Sequence, residues 1–352
     1  MTGMPLHAFD MSGRGCFVIG EIGVNHNGSL ELAKRLIDVA VKAGADAVKF
    51  QTFSAERLVT RTARKADYQS RNHQVDESQF DMLKRLELSE SDLRACKSYC
   101  DEHGIVFLST PFDEQAADLL EDVGVSGFKI SSGDLTNLPL LSHIAAKGLP
   151  MIISTGMATM GDIEDAVTAI QEAGAPPLAI LHCVSDYPAA PEEANLAAMD
   201  TIAQAFGHVV GWSDHTLGDA VSLASVARGA RFLEKHYTLD TAMEGPDHRA
   251  SLDPDEFTAL LSKIRTVETA IGDGVKRPQA SERATAEVAR RSIVAADDIA
   301  AGTVIDGSHL VMKRPGTGLM PKHHGWVVGR VAARDIAADT LIELGDLGRG
   351  PA

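Results

Sequence analysis

Short runs of apolar and β-branched residues alternate, from residue 17 onward, with segments whose apolar positions recur every three to four residues. This alternation predicts buried parallel strands joined by amphipathic crossover helices. The predicted strands span residues 17–23, 46–52, 105–111, 127–133, 150–156, 178–184, 209–215 and 232–238. Eight strand-then-helix units favour an α/β fold with a closed (β/α)8 TIM barrel over an open doubly wound sheet. No glycine-rich dinucleotide fingerprint follows the first strand, which supports the barrel.

The first predicted helix illustrates how the units are built. Ser29 is placed to cap its N-terminus, and Gly44 is placed to end it. One apolar stripe along this helix is predicted from Leu32, Ala33, Leu36, Ile37, Ala40 and Val41.

The pattern changes after the eighth helix. We predict a barrel over residues 1–272, a polar linker over 273–286, and a small β-rich domain over 287–352, where short β-like pieces are broken by Gly, Asp and Pro. A domain of about 60 residues has a small core and is marginal alone. We therefore expect it to lean on a larger neighbour, either its own barrel or that of a second subunit.

Composition narrows the class of partner. The formal net charge of −16 argues against binding to nucleic acid or to an anionic membrane. No secretory signal pattern and no run of about 20 apolar residues is present, so we expect a cytoplasmic protein.

The cysteines at 16, 96, 100 and 183 lack CxxC spacing, and we expect small buried side chains rather than disulfides.

Polar residues fall on the predicted inward faces near several strand ends. Residues two apart in a strand share a face, so Glu234 and His236 point one way while Lys235 points the other. By the same rule Ser213 shares a face with His215. A barrel interior is normally packed with branched apolar side chains, and catalytic groups collect at the C-terminal strand ends. Such a set of buried polar groups is costly unless it is used.

The two histidines end neighbouring predicted strands. Parallel strands lie about 4.8 Å apart, so the imidazoles of His215 and His236 can reach one divalent ion, with water and substrate oxygens completing its shell. Such a site suits Mn²⁺, Mg²⁺, Co²⁺ or Zn²⁺. The alternative is that both are hydrogen-bonded core or rim histidines.

Lysines and hydroxyls also end strands. Lys49 and Lys129 are predicted to face inward, and hydroxyls follow at Thr110, Ser132, Ser154 and Ser213. A ring of such donors suits an anion that bears phosphate and carboxylate groups. Two alternatives stay open: the hydroxyls cap the following helices, and one lysine forms a Schiff base as in an aldolase.

Two long loops are predicted to overhang the barrel mouth, over residues 53–80 and 239–254. Loops of this length are commonly lids or binding loops. In the second loop, Gly245 and Pro246 fix a turn that would direct Asp247 inward.

Eight motifs together resemble those of the N-acetylneuraminate (sialic acid) synthase family, which includes the legionaminate and pseudaminate synthases. They are EIGVNHNG, ADAVKFQTF, FLSTPF, ISTGMA, GWSDHTLG, EKHYTLD, EGPDHRASL and KRPGTG, and they span nearly the whole chain. The terminal domain resembles the SAF (antifreeze-like) domain of these synthases. The resemblance implies a dimer in which one subunit's SAF domain caps the other's barrel.

The resemblance implies condensation of phosphoenolpyruvate with an N-acylated hexosamine, giving a nine-carbon 2-keto sugar acid and phosphate. It implies that His215 and His236 bind the metal, with Mn²⁺ expected and Mg²⁺ or Co²⁺ as alternatives. The implied catalytic residues are Glu21, Lys49, Lys129 and Glu234. The implied substrate-binding residues are Gln51, Asn72, Thr110, Ser132, Asp134, Ser154, Tyr187, Ser213, Asp247 and Arg314.

One departure affects the choice of sugar. Asp134 stands where many sialic acid synthases carry a longer carboxylate, in a PSGE run. The sequence leaves N-acetylmannosamine and 2,4-diacetamido-2,4,6-trideoxymannose as acceptors, and we prefer the former. Outside this reaction, the competing hypotheses are a metal-independent Schiff-base aldolase and a non-catalytic carbohydrate-binding protein.

Overall fold

The computed structural model describes residues 15–65 and 77–349, which form two compact units. The first unit ends at Gly272 and the second begins at Asp273. Within the described residues, no helix combines the length and apolar character needed to cross a membrane.

The first unit is a closed barrel of eight parallel strands in sequential order, which confirms the predicted TIM barrel. The strands are Phe17–Gly23 (β1), Ala47–Thr52 (β2), Val106–Pro111 (β3), Phe128–Ile130 (β4), Met151–Ser154 (β5), Leu178–Cys183 (β6), Val209–Asp214 (β7) and Phe232–His236 (β8). β8 pairs with β1 to close the barrel. The α-helices among the described residues of this unit are Leu30–Ala43 (α1), Ala55–Leu58 (α2), Gln79–Leu86 (α3), Glu90–His103 (α4), Glu114–Val123 (α5), Leu138–Ala145 (α6), Met160–Ala173 (α7), Ala198–Phe206 (α8), Ala220–Ala227 (α9) and Pro254–Ile271 (α10).

Helix α1 forms as its sequence predicts. The Ser29 hydroxyl accepts a hydrogen bond from the Leu32 amide, and Gly44 ends the helix in the left-handed conformation. The buried stripe is narrower than predicted, because Leu32 and Val41 lie half-buried at its edges.

Two apolar clusters form the core of the barrel. The smaller fills the barrel interior, with Ile19, Ala47, Val106, Leu108, Ile152, Ala179, Leu181 and Phe232. The larger lies between the strands and the helices and includes Phe50, Phe107, Phe128 and Trp212. Because the interior cluster occupies the N-terminal and middle parts of the strands, the C-terminal ends are left for polar side chains.

The fourth strand is shorter than predicted. β4 ends at Ile130, and Ser132–Asp134 form a 3₁₀ turn instead of continuing the strand. The Ser131 hydroxyl donates to the Asp134 carboxylate, and the Asp134 amide donates to the Ser131 carbonyl. These local bonds compete with the sheet and bend the chain at the barrel mouth.

The second unit is β-rich, as predicted. Ser292–Ala295 (β9) pairs antiparallel with Leu310–Lys313 (β10), and Val331–Ala332 (β11) pairs with Leu347–Gly348 (β12). Its core is a separate apolar cluster that includes Ile293, Ile305, Val327 and Ile342. His324–Val327 forms a short helix, and a second helix, Arg283–Ala289, occupies part of the predicted linker. The alanine-rich sequence of that segment favours helix.

Candidate active site

Polar side chains face inward at the C-terminal ends of the barrel strands. They belong to Glu21, Lys49, Gln51, Thr110, Lys129, Ser154, Cys183, Ser213, His215, Glu234 and His236. The predicted alternation holds on β8, where Glu234 faces the interior while Lys235 reaches the opposite side to pair with Asp214. The structure therefore brings together the lysines, carboxylates and histidines that the sequence places on separate strands.

Lys49 lies in a fully polar environment. Its Nζ is 2.7 Å from Glu21 Oε2 and 3.9 Å from Glu234 Oε2, and it donates to Thr110 Oγ1 at 3.2 Å. Gln51 Nε2 donates to the other Glu21 oxygen at 3.1 Å. Lys49 is only 4% exposed, so these partners replace the water that its ammonium loses.

Lys129 forms the second buried cation. Its Nζ donates to Ser154 Oγ at 2.7 Å and lies 3.5 Å from Glu234 Oε1. The same carboxylate oxygen accepts a hydrogen bond from Ser213 Oγ at 3.0 Å. Glu234 thus lies between both ammonium groups, and one of its oxygens, Oε2, has no hydrogen-bond partner.

The two buried carboxyl groups differ in their pKa values. Burial raises the pKa of Glu21 to about 7, because desolvation outweighs the attraction of Lys49. Burial acts in the same direction on Glu234, but the charges of Lys129 and Lys49 outweigh it and lower the pKa to about 2. Environments that separate two carboxyl pKa values in this way equip one site with both a proton donor and a permanent anion.

The two imidazoles lie side by side, with ring centroids 5.3 Å apart. His215 Nδ1 is 2.7 Å from the Val184 carbonyl oxygen, so Nδ1 donates to that oxygen and Nε2 is the nitrogen that is open to a ligand. His236 Nδ1 is buried without a hydrogen-bond partner and lies 3.9 Å from Asp247 Oδ2. The Tyr187 ring packs 4.0 Å from the His215 ring, centroid to centroid.

These residues can supply part of the ligand set of a divalent metal. Burial lowers the pKa of His236 well below its usual value, so the imidazole is neutral, which is the form that binds metals. The unpaired His236 Nδ1 and Glu234 Oε2 are the kind of buried atoms that a cation would satisfy. Over residues 15–65 and 77–349, no group of three or more His, Cys, Asp or Glu side chains is arranged to bind a metal alone. A bound ion would therefore need substrate and water oxygens as further ligands.

Cys183 is a site residue that sequence reasoning missed. All four cysteines are free and buried, as predicted, but Cys183 also faces the site, with Sγ 3.7 Å from His215 Nδ1. The Ser132 hydroxyl lies 3.6 Å from the same sulfur and accepts a hydrogen bond from the Gly156 amide. Strand alternation carried through β6 could have identified Cys183, because it shares a face with Leu181 of the interior cluster.

Three predicted substrate-binding residues are not in the group of barrel residues described above. The hydrogen bonds of Asp134 are local, to Ser131 and Asn137. Arg314 is exposed in the second unit, next to the cis bond that precedes Pro315. Asn72 lies outside the described residues. The roles assigned to these three residues stay predictions.

The fold and the site together define a TIM-barrel protein in which lysines and carboxylates form ion pairs at the barrel mouth. A small β-rich domain follows the barrel. The chain matches the NeuB family over residues 36–276 and the SAF domain over residues 290–348. The N,N'-diacetyllegionaminic acid synthase of Legionella pneumophila is 44% identical over 331 residues, covering 93% of each chain. The N-acetylneuraminate-9-phosphate synthase of Mus musculus is 38% identical over 299 residues, covering 85% of this chain and 83% of that relative.

A solved structure is similar as well. The N-acetylneuraminic acid (sialic acid) synthetase of Leptospira borgpetersenii superposes with a TM-score of 0.69 at 34% identity, covering 78% of this chain and 91% of that one. The chain therefore belongs to the NeuB family of sialic acid and legionaminic acid synthases, and its C-terminal unit is a SAF domain.

Proposed function

We propose that this protein condenses phosphoenolpyruvate with 2,4-diacetamido-2,4,6-trideoxymannose to form N,N'-diacetyllegionaminate and phosphate. The sequence led us to prefer N-acetylmannosamine as the acceptor. The comparisons favour the other candidate, because the legionaminic acid synthase of Legionella pneumophila is 44% identical and the N-acetylneuraminate-9-phosphate synthase of Mus musculus is 38% identical.

The pair of buried ammonium groups at the barrel mouth is the observation that carries the proposal. Lys49 and Lys129 converge with the hydroxyls of Thr110, Ser154 and Ser213 on one small region. Phosphoenolpyruvate carries a phosphate and a carboxylate, and two cations with neutral donors match both groups. With the Glu21 pKa at about 7, a fraction of this carboxyl is neutral at physiological pH, which leaves the site more receptive to an anion.

In the proposed reaction, C3 of phosphoenolpyruvate attacks the aldehyde carbon of the open-chain sugar, and the aldehyde oxygen takes up a proton. Water then adds to C2, and the tetrahedral intermediate expels phosphate by cleavage of its C–O bond. Glu234 remains ionised between the two lysines and is placed to orient the water or accept its proton. Glu21 is placed to donate a proton.

His215 and His236 would hold the divalent metal, with Mn²⁺ as the expected ion. When bound, the ion supplies Lewis-acid polarisation of the sugar aldehyde. The Val184 carbonyl holds the tautomer of His215 by accepting its Nδ1 proton. Asp247, 3.9 Å from His236 Nδ1, is placed to contact the acceptor sugar.

An assay of phosphate release with Mn²⁺ present tests the proposal. We expect kcat/KM at least about tenfold higher with the diacetamido sugar than with N-acetylmannosamine, since a site built for two acetamido groups discriminates against a substrate that lacks one. Phosphoenolpyruvate labelled with ¹⁸O in the C–O–P bridge should deliver the label to phosphate. A preference for N-acetylmannosamine would show that this sugar is the acceptor. If phosphate is released with neither sugar, the synthase proposal is refuted.

Metal dependence is tested on the same protein. Treatment with a chelator should abolish activity, Mn²⁺ should restore it, and His215→Ala and His236→Ala should bind Mn²⁺ more weakly by titration calorimetry. Full activity after complete removal of metal would rule out the metal site.

A Schiff-base aldolase is the second candidate, because burial lowers the pKa of the Lys129 ammonium despite Glu234 nearby. Borohydride trapping with either substrate separates the two chemistries. A covalent adduct on Lys129 would support the aldolase, and we expect none, since Lys129 Nζ donates to Ser154 and pairs with Glu234.

A further inference from the structure

Two loops contact each other at the barrel mouth through hydrogen bonds that the proposed reaction does not use. One is the loop after β1, residues 24–28, and the other is the loop after β8, residues 239–252. Asn25 in the first loop is 1% exposed, and both N–H groups of its side chain are used. They donate to the Tyr237 carbonyl oxygen and to Ser251 Oγ, each at 2.9 Å.

Each of these two bonds leads to a residue of the site. Tyr237 directly follows His236 in the chain. The Ser251 hydroxyl donates in turn to the backbone carbonyl of Asp247 at 2.7 Å. The side-chain amide of Asn25 therefore links the end of β8 to the segment that carries the Asp247 carboxylate.

Asn27 holds the tip of the same loop. Its Nδ2 donates to the Glu244 carbonyl oxygen at 3.0 Å, and its Oδ1 lies 3.4 Å from His248 Nε2. A Cβ at Gly245 would lie 2.6 Å from the His248 ring, so the loop passes that ring at a distance only glycine permits. The loop after β8 is thus fixed to the loop after β1 along its length, rather than attached only at its base.

The position of Asp247 depends on these contacts. Its carboxylate is buried, 8% exposed, and 3.9 Å from His236 Nδ1, which has no hydrogen-bond partner. Backbone bonds between Leu252 and His236 and between Thr238 and Leu252 secure the base of the loop. Between these anchors, the Asn25–Ser251 bonds are side-chain contacts that a single substitution can remove without altering the site itself.

We propose that Asn25 is a positioning residue that, through Ser251, holds Asp247 beside His236 and thereby sets the affinity for the acceptor sugar. The part about the sugar rests on the proposed function. The part about the loop stands on the contacts alone. Because the Asn25 side chain donates to Tyr237 and Ser251 rather than to a group around Lys49 or Lys129, we expect the affinity for phosphoenolpyruvate to change much less.

Three variants test the proposal. Asn25→Asp keeps the shape but replaces both N–H donors with an oxygen and adds a negative charge. Ser251→Ala removes the hydroxyl that accepts from Asn25 and donates to the Asp247 carbonyl, and leaves the bond from Asn25 to the Tyr237 carbonyl in place. Asn195→Asp is the matched control, because Asn195 is exposed and Asp tolerates its left-handed backbone equally well. Each protein is compared with the unmodified chain by hydrogen exchange and by steady-state kinetics.

Amide exchange over residues 239–252 should be about tenfold faster in Asn25→Asp and faster to a smaller degree in Ser251→Ala. The KM for the acceptor should rise about tenfold while the KM for phosphoenolpyruvate stays within about twofold, since only the contacts to Asp247 change. Asn195→Asp should match the unmodified protein in both measurements. Unchanged exchange in both test variants, or an equal rise in both KM values, would overturn the proposal.

The two readouts also separate this proposal from the proposed function. If the unmodified protein releases no phosphate with either sugar, the synthase assignment fails, while the exchange data still decide whether Asn25 orders the loop. If the synthase is active and Ser251→Ala leaves the acceptor KM unchanged, the synthase stands and the role of Asn25 is refuted.

Discussion

The buried ion pair between Asp214 and Lys235 allows a quantitative prediction. These residues pair across β7 and β8, each immediately before a histidine of the site, and both are 1% exposed. Lys235 Nζ is 2.9 Å from Asp214 Oδ2. The Ser222 hydroxyl donates to the same oxygen, while the amide and hydroxyl of Thr216 donate to Oδ1. Every acceptor on Asp214 is therefore occupied.

Removing one partner leaves the other charge buried and unpaired. We expect Lys235→Met to lower the free energy of unfolding by roughly 3–5 kcal/mol, because an uncompensated buried carboxylate costs about that much. The double variant Asp214→Leu/Lys235→Met should recover much of the loss, since no unpaired charge is then buried. Lys263→Met serves as the control, because it breaks an exposed pair with Asp219 that contributes about 1 kcal/mol or less.

The assay is urea denaturation followed by tryptophan fluorescence. The chain has two tryptophans, and Trp326→Phe leaves Trp212, which is fully buried in the barrel, as the reporter of the first unit. With an m-value of about 3 kcal/mol/M, Lys235→Met should shift the midpoint by about 1–1.7 M. A shift no larger than that of Lys263→Met would refute the reasoning that a buried Asp214 carboxylate without its lysine is costly.

Three further predictions concern the site. One prediction applies if the protein is a homodimer in which Arg314 acts on the barrel of the other subunit. Mixing inactive Arg314→Ala and His215→Ala subunits should then restore about a quarter of full activity. No recovery would place Arg314 in its own subunit's site. Glu234→Gln should lower kcat about 10²- to 10⁴-fold, and it should also lower the melting temperature, because Lys129 loses its carboxylate partner; a smaller loss of kcat would exclude a proton-transfer role. Gly156→Ala would press a Cβ against the Ser185 hydroxyl and place it 2.9 Å from the Ser132 hydroxyl. Because both serines must move, the KM for phosphoenolpyruvate should rise about tenfold; wild-type kinetics would show that neither hydroxyl is needed to bind it.

Much of the barrel is predictable because its signals are local. Apolar runs, caps such as Ser29 and Gly44, and the two-residue period of strands depend on the nearest few residues. The same period predicts that Lys49, Glu234 and His236 face the inside of the barrel. The early end of β4 was missed because the Ser131–Asp134 hydrogen bonds compete with the sheet over only four residues.

The composition and order of the chain by themselves determined the eight strand-then-helix units, the inward polar residues and the β-rich C-terminal part. Only the tertiary structure decided which charges meet: that Glu234 lies between Lys49 and Lys129, that Cys183 faces His215, and that Asn25 reaches Ser251 across the barrel mouth. The physical reason is distance along the chain. Asn25 and Ser251 are 226 positions apart, and no local preference encodes a hydrogen bond that exists only once β8 has closed against β1.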